Sequence, residues 1–242
     1  MNAFSRYELR TTDVEDAHAF YADVFGADFW SDCIDVRPLA APALARGAPP
    51  HWLGHIHVDD VVGIMLRFVE RGATVVGPRP QGGHAAQVLL RDPFSAMVAL
   101  TSTATHDAAG RVAWHLLTAR DERQAFAVYA ELFGWRRCDA YDLGPQRGRH
   151  VSFTWDGADQ PAGSISNLAQ QPHVHPQWLF FFRTARLEDA VAKVRAHGGL
   201  TLPPLENGQG DLVAVCDDPQ GAAFALYEFR AGTRASIRSG RR

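Results

Sequence analysis

The chain has 242 residues, of which 46% are hydrophobic and 21% are charged, and its formal net charge is −3 at pH 7. This composition is that of a globular protein with a packed core, and it excludes the strongly basic surface typical of nucleic-acid binding. The longest apolar runs, such as WLFFF at 178–182, are too short to cross a bilayer. The N-terminus has no apolar signal-peptide core, so we expect a cytoplasmic protein with neither nucleic-acid nor membrane partners.

The sequence contains an internal repeat. TTDVEDAHAFYADVFG at 11–26 returns as TARDERQAFAVYAELFG at 118–134, and RDPFSAMVALTS at 91–102 returns as DDPQGAAFALYE at 217–228. A repeat of this kind indicates two similar structural units. We therefore predict a first domain over residues 1–106, a second domain over 111–230, and a disordered basic tail over 231–242.

Each copy opens with a predicted strand and helix. YELRT at 7–11 is typical of a strand, and Asp13 and Asp121 stand where they would cap the helix that follows. Apolar residues recur at helical spacing between 17 and 24, and Gly26 is suited to the end of that helix.

A second helix is predicted in each copy, over 61–71 and over 187–197, and each is followed by glycine. The segments VLLRDPFSAMVALT and VAVCDDPQGAAFALYEF then predict β-hairpins with Asp-Pro turns.

The second copy contains 18 more residues between its first helix and its WLFFF strand than the first copy does before HWLGHIH. These residues include RHVSFTW, whose alternating pattern predicts an additional strand. In the first copy ALARGAPP at 43–50 is predicted to be a loop, so we expect a shortened sheet there.

The order of these motifs resembles that of the vicinal oxygen chelate superfamily, which includes glyoxalase I, bleomycin-resistance proteins and extradiol dioxygenases. The resemblance rests on a strand followed by DVEDAHAFYADVFG, then PPHWL with a helix that ends in glycine, then DPFSAMVAL, and it spans about residues 4–229. It implies an α+β fold of tandem vicinal-oxygen-chelate domains, each built of paired βαβββ modules around an open cavity. Fold alone does not establish function.

The resemblance also locates the strand positions where metal enzymes of the superfamily carry His, Glu or Gln. These positions fall on Arg6, Leu53 and Ala99 in the first copy, and on Trp114, Leu179, Ala225 and Ser164 or Ser166 in the second copy. None of these residues is an expected ligand. We therefore expect no metal cofactor at the usual position.

Three histidines lie within HWLGHIHVDD at 51–60. Because side chains alternate across a strand, His51, His55 and His57 share one face, which would line the cavity of the first domain. Together with Glu8, the pair His55 and His57 could hold a divalent metal. The alternative is a polar pocket whose imidazoles form hydrogen bonds or meet an anionic ligand.

The predicted function is metal-independent binding of a small organic molecule in the cavity of the second domain, by a monomer or homodimer. One alternative is a lyase or dioxygenase-like enzyme that uses a divalent metal at Glu8, His55 and His57. Another is a non-catalytic structural or dimerisation module. The sequence identifies no catalytic residue. The predicted pocket residues are Trp114, Leu116, Ser164, Phe181, Arg183, Arg6, Glu8, His55 and His57.

Overall fold

A computed structural model of the protein describes residues 2–77, 86–105, 110–207 and 210–230. The predicted basic tail at 231–242 lies outside the described residues. None of the helices in the described ranges combines the length and the apolar character that crossing a membrane would require.

The first half of the chain contains six strands and three helices in its described residues. These are β1 (Phe4–Thr11), α1 (Val14–Phe25), β2 (Ile34–Pro38), α2 (Ala41–Leu44), β3 (His51–His57), α3 (Val61–Glu70), β4 (Thr74–Val76), β5 (Gln87–Arg91) and β6 (Met97–Thr101).

The second half repeats this order with additional strands. It contains β7 (Val112–Thr118), α4 (Glu122–Phe133), β8 (Arg136–Asp142), β9 (Arg149–Thr154), β10 (Gly163–Ser166), a short 3-10 helix (Leu168–Gln170), β11 (Gln177–Arg183), α5 (Leu187–Ala196), β12 (Leu200–Thr201), β13 (Leu205–Glu206), β14 (Leu212–Asp217) and β15 (Ala223–Glu228).

Both long N-terminal helices begin at the predicted aspartates. The Asp13 carboxylate accepts the backbone N–H of Asp16 at 3.0 Å, and the Asp121 carboxylate accepts that of Gln124 at 2.9 Å. Each carboxylate satisfies an N–H that has no partner within the helix and lies at the positive end of the helix dipole. At the other end of α4, Gly134 has a φ of 72°, a left-handed conformation that glycine adopts without steric cost.

The strands form two sheets, one from each half of the sequence. The six-stranded sheet has the order β2-β1-β3-β6-β5-β4, and the nine-stranded sheet has the order β12-β14-β15-β11-β7-β10-β9-β8, with β13 paired to β14. The α+β fold with tandem vicinal-oxygen-chelate architecture is therefore confirmed. Among the described residues the first sheet has fewer strands than the second, and β2 stands there in place of β8, β9 and β10.

The prediction of a loop over 43–50 was partly wrong. The short helix α2 (Ala41–Leu44) overlaps the start of that segment. Its early proline, Pro42, is compatible with a helix because the N–H groups of the first turn need no helical partner. The residues from Ala45 onward fulfil the prediction.

Contacts divide the chain into two compact units that do not follow the two sequence copies. The α3–α4 unit comprises Met1–Glu8, Leu53–Asp107 and Trp114–Leu179, and the α1–α5 unit comprises Leu9–Trp52, Ala108–Ala113 and Phe180–Arg242. Each unit therefore contains residues from both copies. The division into domains at 1–106 and 111–230 stays a prediction.

A buried Trp–Tyr–Asp chain lies in the core of the α3–α4 unit. The Tyr129 hydroxyl of α4 donates to Asp92 Oδ2 at 2.8 Å, and Trp178 Nε1 donates to the same hydroxyl at 3.1 Å. Asp92 also accepts the backbone N–H groups of Phe94 and Ala96 at 2.9 and 2.8 Å, which shapes the predicted Asp-Pro turn between β5 and β6.

The α1–α5 unit contains the equivalent chain. Tyr21 of α1 donates to Asp218 Oδ2 at 3.2 Å, and Trp52 Nε1 donates to the Tyr21 hydroxyl at 2.9 Å. In both units the tyrosine comes from the first helix of one copy, whereas the aspartate comes from the hairpin turn of the other copy. Each copy thus supplies the aspartate that accepts the tyrosine hydroxyl of the other copy.

Candidate functional site

The sheet strands β7, β9 and β10 have one face that packs toward α4 and an opposite face that we call the far face. On the α4 side, Phe153 of β9 stacks on Trp135, just after α4, with ring centroids 4.6 Å apart. Side chains alternate along a strand, so the neighbours of Phe153 in β9, Ser152 and Thr154, point to the far face.

The strand register brings polar residues together on the far face. Ser164 of β10 is paired with Ser152 of β9 and with Leu116 of β7. His150 of β9 is paired with Ser166 of β10, and on the other side with Tyr141 of β8.

Ser164 is the centre of a hydrogen-bonded network on this face. Trp114 Nε1 donates to Ser164 Oγ at 3.2 Å, and Ser164 Oγ lies 3.2 Å from His150 Nδ1. The Tyr141 hydroxyl is also hydrogen-bonded to the Ser164 side chain. The Tyr141 ring lies parallel to the His150 ring, with centroids 5.3 Å apart.

The second nitrogen of His150 fixes the proton positions in this network. His150 Nε2 lies 2.8 Å from the carbonyl oxygen of Arg147, and a carbonyl oxygen can only accept, so Nε2 carries a proton. In the neutral ring Nδ1 is then an acceptor, and it accepts the hydroxyl proton of Ser164.

Burial keeps this network neutral. Desolvation lowers the pKa of His150, partly offset by its bond to the Arg147 carbonyl and by the negative charges of Glu122 and Asp142. Desolvation likewise raises the pKa of the Tyr141 hydroxyl, although its hydrogen bond with Ser164 opposes that shift. The network therefore carries no charge at neutral pH.

The exposed fraction differs among the residues of the network. Ser164 is 1% exposed and His150 is 7% exposed, whereas Tyr141 is 38% exposed and Trp114 is half-buried. The two aromatic rings therefore present surface to solvent above a buried serine and imidazole.

A cleft of about 270 Å³ lies beside the turn between β8 and β9. None of the nine predicted pocket residues lines it. Its lining residues are Asp142, Gly144, Pro145, Gly148, Arg149, Asn167, Gln170 and Gln171.

Four predicted residues from the first copy also lie in the α3–α4 unit. Arg6 and Glu8 of β1 form an ion pair at 3.4 Å. His55 is fully buried beside Ala99 of β6, and His57 is half-buried.

The relocated metal site is not formed by these side chains. Among the residues that the structure describes, which include Glu8, His55 and His57, no group of three or more His, Cys, Asp or Glu side chains could hold a metal ion. The three side chains of the alternative site therefore do not converge as a ligand set would require.

The two remaining predicted residues lie in the α1–α5 unit. Phe181 is buried and is paired with Ala225 of β15. Arg183 is exposed, and its guanidinium lies over the Phe229 ring at 4.4 Å from the centroid, a cation–π contact. The structure thus groups Trp114, Leu116 and Ser164 on one face and places Phe181 and Arg183 in the other unit.

The residues at the superfamily's metal positions in the second half do not suit a cation. Trp114 and Ser164 are hydrogen-bonded to each other, and the indole N–H is a donor without a lone pair to offer. Leu179 and Ala225 carry no ligand atom. The usual metal of the superfamily does not fit this set of residues.

Sequence analysis missed Tyr141 and His150. The alternation in RHVSFTW does place His150, Ser152 and Thr154 on one face. The contact between His150 and Ser164 depends on the register of β9 against β10, which the sequence pattern does not give.

The fold and part of the sequence are similar to those of known proteins. Residues 111–226 match the model of the Glyoxalase/Bleomycin resistance protein/Dioxygenase superfamily. The second half of the chain is thus similar to this superfamily, and the predicted resemblance to the vicinal oxygen chelate superfamily is confirmed.

Among curated proteins, the chain is similar to "Putative glyoxylase CFP32" of Mycobacterium bovis. The two are 25% identical over 246 residues, which cover 91% of this chain and 92% of the relative. The protein of the same name from Mycobacterium tuberculosis matches with the same values.

Two solved structures show the fold over nearly the whole chain. The 2,3-dioxygenase LapB from Pseudomonas sp. KL28 has a TM-score of 0.60 and 12% identity, covering 95% of this chain and 92% of that one. Homoprotocatechuate 2,3-dioxygenase from Brevibacterium fuscum, in complex with 3,4-dihydroxyphenylacetate, has a TM-score of 0.63 and 14% identity, covering 95% and 81%. These identities establish a shared fold and no shared activity.

Proposed function

We propose that the protein binds a small, flat organic molecule on the far face of β7, β9 and β10, without a metal ion. The observation that supports this proposal is the network of Trp114, Ser164 and His150. The resemblance assigns Trp114 and Ser164 to positions where metal enzymes of the superfamily carry ligands, and in this chain they are hydrogen-bonded to each other.

The chemistry of the far face favours an uncharged or weakly acidic aromatic ligand. Trp114 and Tyr141 offer ring surface that solvent reaches, and a flat molecule can stack on such rings. Leu116 adds apolar surface beside Ser164, while the hydroxyl and indole N–H groups can orient a polar substituent. The participation of Phe181 and Arg183, in the other unit, stays a prediction.

The first test is a binding titration in the presence of a chelator. We would measure thermal unfolding of the protein with 4-nitrophenol, benzoate or catechol, each in excess EDTA. A ligand at about 100 times its Kd stabilises the folded state by about 2.7 kcal/mol, so binding without metal raises the Tm in EDTA.

Two variants serve as controls for that titration. Trp114→Phe keeps a ring but loses the N–H bonded to Ser164, so it should weaken binding. Ser166→Ala changes the next far-face serine, whose hydroxyl donates to the Leu117 carbonyl at 3.5 Å, and it should leave binding unchanged. Stabilisation that disappears in EDTA and returns with one divalent ion would overturn the metal-independent proposal.

The metal-dependent alternative has its own measurement. Plasma mass spectrometry would measure the metal content of the untagged protein and of a His55→Ala/His57→Ala variant. The comparison distinguishes a metal-dependent function from a metal-independent one. Near-stoichiometric metal in the parent and none in the variant would favour an enzyme with a metal site in the first half. Trace metal in both proteins supports the proposed function.

A further inference from the structure

We propose that Ser164 and His150 form a nucleophile–base pair that transfers the acyl group of a small neutral ester to water. This inference rests on the proposed binding of a small molecule at the same face. It assigns a reaction to residues that the metal chemistry of the superfamily does not use.

The first element of the argument is the direction of the Ser164–His150 hydrogen bond. Because His150 Nε2 donates to the Arg147 carbonyl at 2.8 Å, Nδ1 is the free base of the ring and faces Ser164 Oγ at 3.2 Å. A serine, an imidazole base and a third group that holds the imidazole in the correct tautomer are the parts of a nucleophilic dyad. Here the third group is a backbone carbonyl.

The second element is a donor beside the serine oxygen. Trp114 Nε1–H lies 3.2 Å from Ser164 Oγ. A carbonyl carbon attacked by Ser164 would place its developing oxyanion next to this oxygen. The indole N–H can then donate to that charge.

The third element is the protonation state of the base. Burial lowers the pKa of His150, so the imidazole is neutral and can take a proton at pH 7. Glu122 and Asp142 are the nearby negative charges, and both favour the imidazolium that forms during attack. Neither charge is bonded to the ring, so the carbonyl of Arg147 remains its orienting partner.

The reaction balances with water as the only co-reactant. Ser164 Oγ bonds to the ester carbonyl carbon while its proton passes to His150 Nδ1. The tetrahedral intermediate collapses, the ester C–O bond breaks, and the imidazolium returns the proton to the leaving alcohol. Water then attacks the acyl-serine with His150 as base, which releases the carboxylic acid and restores the Ser164 hydroxyl.

The substrate class follows from the surroundings of the pair. Trp114, Tyr141 and Leu116 provide aromatic and apolar surface, and the network carries no charge at neutral pH. An ester with a short acyl group and a flat aromatic alcohol matches these features. The Tyr141 ring is exposed, so the aromatic group of the ester can reach it from solvent.

The test uses the full chain and two probes. A fluorophosphonate reacts with activated serines, and tandem mass spectrometry locates the adduct; 4-nitrophenyl acetate reports hydrolysis by the release of 4-nitrophenol. We expect the adduct on Ser164 and an initial burst of product. Loss of a positioned base or nucleophile costs about 100-fold or more in rate, so His150→Gln and Ser164→Ala should lose hydrolysis by that factor.

Ser166→Ala is the matched control because Ser166 is a fully buried serine on the same strand face that does not contact His150 Nδ1. It should retain the full rate. Labelling of the unaltered protein needs no variant, so a variant that fails to fold does not decide the outcome. An adduct on another residue, no adduct at all, or equal hydrolysis by folded Ser164→Ala would overturn the proposal.

The same experiment separates this inference from the proposed function. Binding of 4-nitrophenol, the product, is measured by thermal unfolding in EDTA. If the product binds and Ser164 is not labelled, the acyl-transfer inference fails while the binding function stands. If neither occurs, both fail.

Discussion

At the scale of single residues, Asp92 shows how burial couples one carboxyl group to stability. Burial raises its pKa from 3.8 to about 6, although the Tyr129 hydroxyl and three backbone N–H groups favour the ionised form. The folded state therefore holds a proton more tightly than the unfolded state does. The stability that this proton contributes is complete below about pH 4 and is lost as the pH rises through 6.

We predict that Asp92→Asn removes this dependence on pH. As the pH rises from 4 to 7, the free energy of unfolding of the unaltered protein should fall relative to that of Asp92→Asn. The expected fall is on the order of 3 kcal/mol for a pKa shift of this size. Urea unfolding of both proteins at pH 4, 5, 6 and 7 measures the difference. The prediction is contradicted if the difference in free energy of unfolding does not change over this range, or if the unaltered protein becomes more stable than Asp92→Asn as the pH rises.

The residue scale also shows what the sequence could predict about the site. Trp114 and Ser164 were predicted from the resemblance, and the structure brings them within hydrogen-bonding distance. His150 was missed because its partner lies on the neighbouring strand, diagonal to the directly paired residue, Ser166. Alternation along one strand reports which face a side chain occupies, but it does not report which residue stands across from it.

At the scale of elements, the Asp-Pro hairpins were the most predictable features. The sequence predicted both turns, and each is held by an aspartate that accepts two backbone N–H groups of its own turn. The same carboxylate also accepts a tyrosine hydroxyl from a helix of the other copy. That second contact is long-range, and local patterns carry no information about it.

The hairpin between β14 and β15 offers a matched pair of variants, because two aspartates stand side by side. Asp218→Ala leaves the Tyr21 hydroxyl and the N–H groups of Gln220 and Ala222 without their acceptor, so it should destabilise the protein by roughly 3 kcal/mol. Asp217→Ala removes a half-buried carboxyl whose pKa is raised by burial, and it should change stability by no more than about 0.5 kcal/mol. Equal losses measured by urea unfolding would contradict this assignment.

At the scale of the whole molecule, the two copies of the repeat depend on each other. Each compact unit is assembled from both copies, and each buried Trp–Tyr–Asp chain joins a helix of one copy to a turn of the other. Sequence analysis predicted two domains because similarity between segments reveals duplication. It does not reveal which segments pack together after the duplication.

We predict that neither half folds alone. Residues 1–106 expressed separately lack Asp218, the acceptor of the Tyr21 hydroxyl, and residues 111–230 lack Asp92, the acceptor of the Tyr129 hydroxyl, so each should show no cooperative thermal transition. Mixing the two fragments should restore a transition and the circular dichroism of the intact chain. Two fragments that each unfold cooperatively on their own would instead support the division into independent domains.

The hydrogen bond between Tyr21 of the first copy and Asp218 of the second copy also affects when the protein can fold during its synthesis. Tyr21 is translated early, but its acceptor, Asp218, follows 197 residues later. The buried face of α1 therefore lacks part of its packing, including Asp218 and Phe224, until almost the entire chain has emerged from the ribosome. A ribosome that stalls within the last hairpin would release a product whose first helix is incompletely packed, and such a product is a natural target for chaperones and proteases.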